Sequence, residues 1–205
     1  MRHFPTLLAA TAALALSACA STPGPSDVQV TRFASSDIRP FDASSLATRN
    51  ATSETAVSGL AFAQYENAVA DELAGLGFTV NPANRAQRTA TITVEKYRID
   101  SAGRRSPVSV GVGGSTGRYG RGGGVGAGVG IDLTGLLGGG PKDRIGTRLS
   151  VAIDGNDGAR LWEGRAEYDA AEGSEAASDA VAAERLAAAL FAGFPGESGE
   201  TIVVE

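Results

Sequence analysis

Histidine, methionine and cysteine are almost absent from this 205-residue chain, and each occurs once, as His3, Met1 and Cys19. Beyond Cys19 the chain contains none of the three. Without histidine there is no side chain whose ordinary pKa lies near 7 to act as a general base. Ser-His-Asp and Cys-His nucleophilic sites are excluded with it. So are zinc, haem and iron–sulfur sites built on histidine or cysteine. A lone cysteine forms no disulfide within the chain, so folding must rest on a hydrophobic core. Aromatic residues make up only 6% of the chain, with a single tryptophan. The formal net charge of −5 is mildly acidic. That balance favours solubility and provides no general attraction to nucleic acid, so no nucleic-acid partner is expected.

The first eighteen residues hold the clearest signal. Arg2 is followed by an uncharged apolar run from Phe4 to Leu16, then by Leu16-Ser17-Ala18-Cys19. A basic start, an apolar run and small residues before a cut make a secretory signal. The run is too short to span a bilayer stably, and Ser-Thr-Pro-Gly-Pro-Ser follows it instead of a stop-transfer cluster. Leu16, Ser17, Ala18 and Cys19 together resemble the lipobox of a bacterial lipoprotein. The resemblance implies cleavage before Cys19, a diacylglyceryl thioether on its sulfur and an acyl group on its new amine. Two or more buried acyl chains anchor a protein stably. The residue after the cysteine is Ala20 and not aspartate. In Gram-negative lipoproteins that resembles the outer-membrane sorting signal. The expected location is therefore the cell envelope, on the outer membrane and facing the periplasm. The membrane is the first partner, and another envelope protein or envelope component the second. Residues 19–27 read as the lipidated cysteine and a short Pro/Ser tether. Residues 28–205 suffice for one domain.

Within that domain the hydrophobic periodicity predicts an ordered set of elements. Asp27 to Phe33 alternates as a strand, and the polar stretch Ala34 to Thr52 reads as loop, with the sequon-like Asn50-Ala51-Thr52 inside it. Thr55 to Leu76 reads as a helix, with Val57, Leu60, Ala61, Tyr65, Ala68, Val69, Leu73 and Leu76 as its apolar stripe and Gly77 at its end. Phe78 to Val80 is a short strand. Thr89 to Ile99 is a longer one, with Ala90, Ile92 and Val94 on one face. Arg144 to Ile153 and Arg160 to Tyr168 form a hairpin across the turn Asp154 to Gly158, with Trp162 as its largest anchor. Ala176 to Phe194 is a second helix whose buried stripe is Ala183, Leu186, Ala187, Leu190 and Phe194. The tail Glu200 to Glu205 docks or adds a short strand. These elements predict an α+β two-layer sandwich. A mostly antiparallel sheet of about five strands carries both helices on one face, and a glycine-rich hairpin or loop is inserted. Trp162, Leu149, Val151, Ile92, Leu73 and Leu190 are the expected core.

The insert spans residues 103–141, and Gly103 to Gly140 holds 16 of the chain's 28 glycines. Val108, Val110 and Val112 alternate with small residues, as do Val125, Ala127, Val129, Ile131 and Leu133. Period two suggests two glycine-lined strands, weakly specified in register. One reading is a flexible hairpin or long loop. The other is a surface for close backbone approach by a partner chain, a glycan or lipid. The stretch from Glu95 to Arg121 carries six basic residues against two acidic ones. It reads either as charge that keeps the loop soluble or as a patch for anionic groups. Arg104, Arg105, Arg118, Tyr119 and Arg121 are the candidate interaction residues.

The remaining motif matches fail on chemistry. Gly113-Gly114-Ser115-Thr116-Gly117 fits a nucleophile elbow but has no histidine to serve it. There is no G-x-G-x-x-G and no glycine-lysine phosphate loop. Asp154, Asn156 and Asp157 fall in a calcium-like run, but an EF-hand needs glycine sixth and glutamate twelfth, where Ala159 and Arg165 stand. No metal and no cofactor are expected. Carboxylate pairs such as Glu163 with Glu167 leave an alternative open, a cell-wall glycan- or lipid-acting enzyme or binder.

The order of these elements, taken with the lipobox, resembles the bacterial lipoproteins grouped as domain of unknown function family 4136. The residues that carry the likeness are Ala68 to Phe78, Ala90 to Val94, Gly146 to Asp154, Leu161 to Ala166 and Phe194-Pro195. The resemblance implies a glycine- and aromatic-rich insert before the Gly-Thr strand. Here that insert holds Tyr119 as its one aromatic residue. It implies no catalytic residues and no cofactor. The period-two pattern of the glycine tract and the missing catalytic residues lead to a non-enzymatic, lipid-anchored binding domain with the glycine-rich hairpin as its contact surface.

Overall fold

The computed structural model describes residues 24–36, 44–52, 57–81, 85–100, 102–108 and 143–205. They form an eight-stranded sheet with two helices. The strands are β1 (Val28–Ala34), β2 (Ser45–Asn50), β3 (Thr79–Val80), β4 (Arg88–Ile99), β5 (Arg105–Pro107), β6 (Arg144–Gly155), β7 (Arg160–Ala171) and β8 (Thr201–Val204). The helices are α1 (Gly59–Gly75) and α2 (Asp179–Phe191). The sheet order is β3-β2-β4-β6-β7-β1-β8, with β5 on the β4 edge beyond β2. The pairings of β2 with β3 and with β4 are parallel, and all others are antiparallel.

The α+β class and the mostly antiparallel sheet follow the sequence reading, but the strand count does not. Eight strands replace the expected five. Part of the surplus is β2, which lies in the stretch read as polar loop. Only Leu46 of its six residues is buried, so it shows no alternation. Its place is set by its parallel pairing with β3 and β4 and not by an apolar face of its own. Asn81, with φ of 47°, closes this edge by accepting a hydrogen bond from the Thr48 amide at 2.9 Å. A second addition is β5, three exposed residues running beside the end of β4. The tail does add a strand, β8 against β1.

Alternation places the core on one face of the sheet. Val28 and Val30, Ala90, Ile92 and Val94, Leu149, Val151 and Ile153, and Trp162 and Ala166 are all buried against the helices. Helix α1 starts four residues later than expected, at the Ser58 cap, whose hydroxyl accepts from the Ala61 amide. Its buried stripe is Phe62, Tyr65, Val69 and Leu73. Leu60 is 83% exposed and does not belong to it. Five residues before Tyr65 is well off the stripe at 3.6 residues per turn, whereas Phe62, three before, is on it. Ser178 caps α2 in the same way, which moves the start of that helix from Ala176 to Asp179 behind a 3₁₀ turn at Glu175–Ala177. Phe194 lies past the helix but stays buried, 5.2 Å from the Trp162 ring. The Trp162 indole lies across Gly164. A Cβ there would fall 2.4 Å from the ring, so the glycine of Leu161-Trp162-Glu163-Gly164 makes room for the tryptophan.

Candidate functional site

Of the residues singled out from the sequence, Leu16, Ser17, Ala18, Cys19, Arg118, Tyr119 and Arg121 lie outside the described residues, as does all of the glycine-rich alternation past Val108. Arg104 and Arg105 are described, and they sit at the root of the insert. Arg104 pairs with Asp100 at 2.8 Å and is 82% exposed. The Asp100 carboxylate also accepts from the Ala102 and Arg104 amides. The Arg104 hydrogen bonds hold its pKa below the ordinary carboxylate value. Arg105 leaves β5 toward the sheet face opposite the helices, 4.9 Å from the centre of the Tyr97 ring.

The face away from the helices carries no covering element among the described residues. Register brings Glu95, Arg148 and Glu167 into one row across β4, β6 and β7. Arg148 donates to Glu167 at 2.8 Å and to Glu95 at 2.9 Å. Its guanidinium lies 5.9 Å from the Tyr97 ring, on which Arg105 also rests. The ring spreads across Gly146, where a Cβ would fall 2.1 Å from it. Arg144 pairs with Asp169 nearby. At the other end of the face Arg160 bonds both Asp154 and Glu163. Glu163 and Glu167 do share this face, but each is held by a different arginine. The run around Asp154 to Gly158 is the hairpin turn expected, closed by Gly155 donating to the Ala159 carbonyl at 2.9 Å. Among the described residues no group of three or more Asp, Glu, His or Cys is placed to hold a metal.

Sequence reasoning missed a second constellation on the helix side. Lys96 follows Val94 on the inward face of β4. Its Nζ donates to Asp179 Oδ1 at 2.7 Å. Tyr65 of α1 donates to the same oxygen at 2.8 Å. Lys96 and Asp179 border a cleft of about 370 Å³ between the N-terminal ends of both helices and the start of β6. Parity along β4 was the available signal for Lys96: even positions 90, 92 and 94 point inward, and 96 continues them. Asp179 had no such signal, because only the docking of α2 brings it there.

Burial raises the Tyr65 pKa well above the ordinary phenol value, and the Asp179 charge and hydrogen bond add to it. Tyr97 and Tyr168 are raised by burial as well. The unfolded phenols ionise near pH 10, whereas the folded ones resist ionisation. Stability carried by these groups is therefore complete below about pH 10 and is lost as pH climbs above it. Absorbance titration of tyrosinate should show the native protein lagging the urea-unfolded chain above that pH, with alkaline unfolding releasing the remainder together. Coincident titration curves for native and unfolded protein would refute this.

No family model matches the chain. Over 61 residues it is 38% identical to an uncharacterized protein of Zymomonas mobilis, a stretch that is 29% of this chain and 23% of that protein. The match thus spans less than a quarter of the relative's length. Among solved structures, the chain resembles the PelC dodecamer from Paraburkholderia phytofirmans with a TM-score of 0.46 and 12% identity, over 79% of this chain and 93% of that one. It resembles a PDZ domain protein from Parabacteroides distasonis with a TM-score of 0.43 and 13% identity, over 89% of this chain and 39% of that one.

Proposed function

We propose that this chain is a lipid-anchored envelope protein on the periplasmic side of the outer membrane. Its folded domain is a non-enzymatic module that binds another envelope protein. The membership suggested by the order of its motifs, in domain of unknown function family 4136, belongs to the same proposal and adds no activity to it. The observation that carries the reading is the sheet face that no element covers among the described residues. Tyr97, Arg105 and Arg148 are stacked there and tied to Glu95 and Glu167. Tyrosine and arginine fixed in advance are the side chains that anchor protein interfaces, because little conformational freedom remains to be lost on binding. The pairing of Glu163 with Arg160 and of Glu167 with Arg148 favours recognition over acid–base chemistry. Both carboxylates are engaged by guanidinium groups, and neither stands free across a cleft.

Arg104 and Arg105 mark the rim of this surface and are largely exposed. Reversing both, Arg104→Glu with Arg105→Glu, should lower recovery of a crosslinked partner from intact envelopes by about ten-fold or more, the effect of opposing like charges at a contact. The thermal transition of the domain should stay within a few degrees, since exposed ion pairs contribute about 0–1 kcal/mol. An unchanged partner list with the fold intact would overturn the assignment of this face.

A further inference from the structure

The cleft between the helix N-termini is a formed cavity on the opposite layer from the sheet-face surface, and the reading of one does not depend on the other. Its walls are apolar, made by Val57, Ala61, Val108, Ile145 and Ala177. Its polar groups are unevenly used. Asp179 Oδ1 already accepts from both Lys96 and Tyr65. Among the described residues Lys96 Nζ is bonded to this one carboxylate, which leaves ammonium protons unused, and its side chain is only 13% exposed. Ser174 also lines the cleft, but its hydroxyl oxygen is itself buried away from solvent. The unused capacity is thus mainly that of donors. Ser58 and Ser178, the caps of α1 and α2, line the same cleft. Each helix start adds roughly half a positive charge, so the single negative charge of Asp179 is more than offset by Lys96 and the two termini.

We propose that this cleft binds a small carboxylate-bearing ligand with a short apolar body, its carboxylate received by Lys96 and its apolar part held against Ala61, Val108 and Ile145. A half-used ammonium is a group that such an acceptor completes. The cavity size falls at the lower end of small-molecule sites, which suits a ligand of a few carbons and not an extended polymer. The same chemistry occurs on a free short-chain fatty acid and on the apolar C-terminal residue of a peptide.

The test uses the full chain carrying Cys19→Ser, so that no attached lipid competes. Hexanoate and N-acetyl-leucine serve as probes, one for each source, and hexanol and hexylamine as controls. Binding is followed by amide chemical shifts. Saturable shifts confined to the cleft residues are expected for at least one carboxylate, and which one responds identifies the source. Lys96→Met should weaken that binding about ten-fold or more, the value of one hydrogen bond to a charged group. Ala61→Phe, which fills the cavity from the first turn of α1, should abolish it while the remaining spectrum is unchanged. Failure of both carboxylates to saturate would overturn the proposal. So would hexylamine binding as well as hexanoate, or Lys96→Met binding as the parent does. None of these results bears on the sheet face, which the charge-reversal experiment tests separately.

Discussion

Trp162→Ala is expected to cost about 3–5 kcal/mol of stability, the range for removing a fully buried large aromatic side chain. Trp162 has no exposed surface. It stacks on Phe191 with ring centres 5.4 Å apart and meets Phe194 at 5.2 Å. Its indole Nε1 donates to the Pro195 carbonyl at 2.9 Å, joining β7 to the segment that leads into β8. Truncation removes the ring contacts, leaves that carbonyl without its donor and opens a cavity over Gly164 where no neighbouring Cβ can fill it. For a domain of this size, each kcal/mol moves Tm by about 2–4 °C, so a fall of roughly 6–20 °C is expected in calorimetry. Trp162→Phe keeps an apolar ring and should lose a smaller part, about 1–2 kcal/mol, from the hydrogen bond and the missing second ring. A Tm for Trp162→Ala within about 3 °C of the parent would mean that this cluster does not hold the two layers together.

The core was legible in the sequence because each of its elements is patterned within itself. Trp162, Leu149, Val151, Ile92, Leu73 and Leu190, all expected inside, have no exposed surface. The hairpin β6–β7 joins two alternating runs through a turn whose residues tolerate positive φ, and Gly158 adopts 80° there. What the sequence hid depends on distant partners. Strand β2 is polar in sequence, and its place is set by parallel pairing with β4, about forty positions further along. Leu60 looked buried because it is apolar and near the stripe, yet the helix turns it to solvent. The charged sheet face divides along the same line. Arg105 was legible as exposed charge beside a glycine tract, but its place over Tyr97 exists only once β5 lies along β4. The cleft was less legible still, since Lys96 and Asp179 are 83 residues apart and lie on different layers.

Cys19→Ser is expected to have the largest effect on where the protein is found. The parent should take up labelled fatty acid and sediment with membranes, and the variant should do neither. The argument rests on the size of the lipid contribution. Each buried CH₂ contributes about 0.8 kcal/mol, so one acyl chain holds a protein marginally and two or more hold it stably. The thioether cannot form on serine, and every chain proposed here depends on the processing that begins at that sulfur. Among the described residues no helix is long and apolar enough to cross a membrane. Residues 19–27 are read as a tether ahead of the domain, so the substitution should leave the thermal transition unchanged and separate loss of anchoring from loss of structure. Ala20→Asp supplies the complementary arm. It keeps the cysteine and should keep the label, but should shift the protein from the outer to the inner membrane if residue 20 sorts it as proposed. A Cys19→Ser protein that still sediments with membranes in high salt would overturn the anchor. A labelled Ala20→Asp protein that stays in the outer membrane would leave the anchor standing and overturn the sorting, because the two depend on different residues.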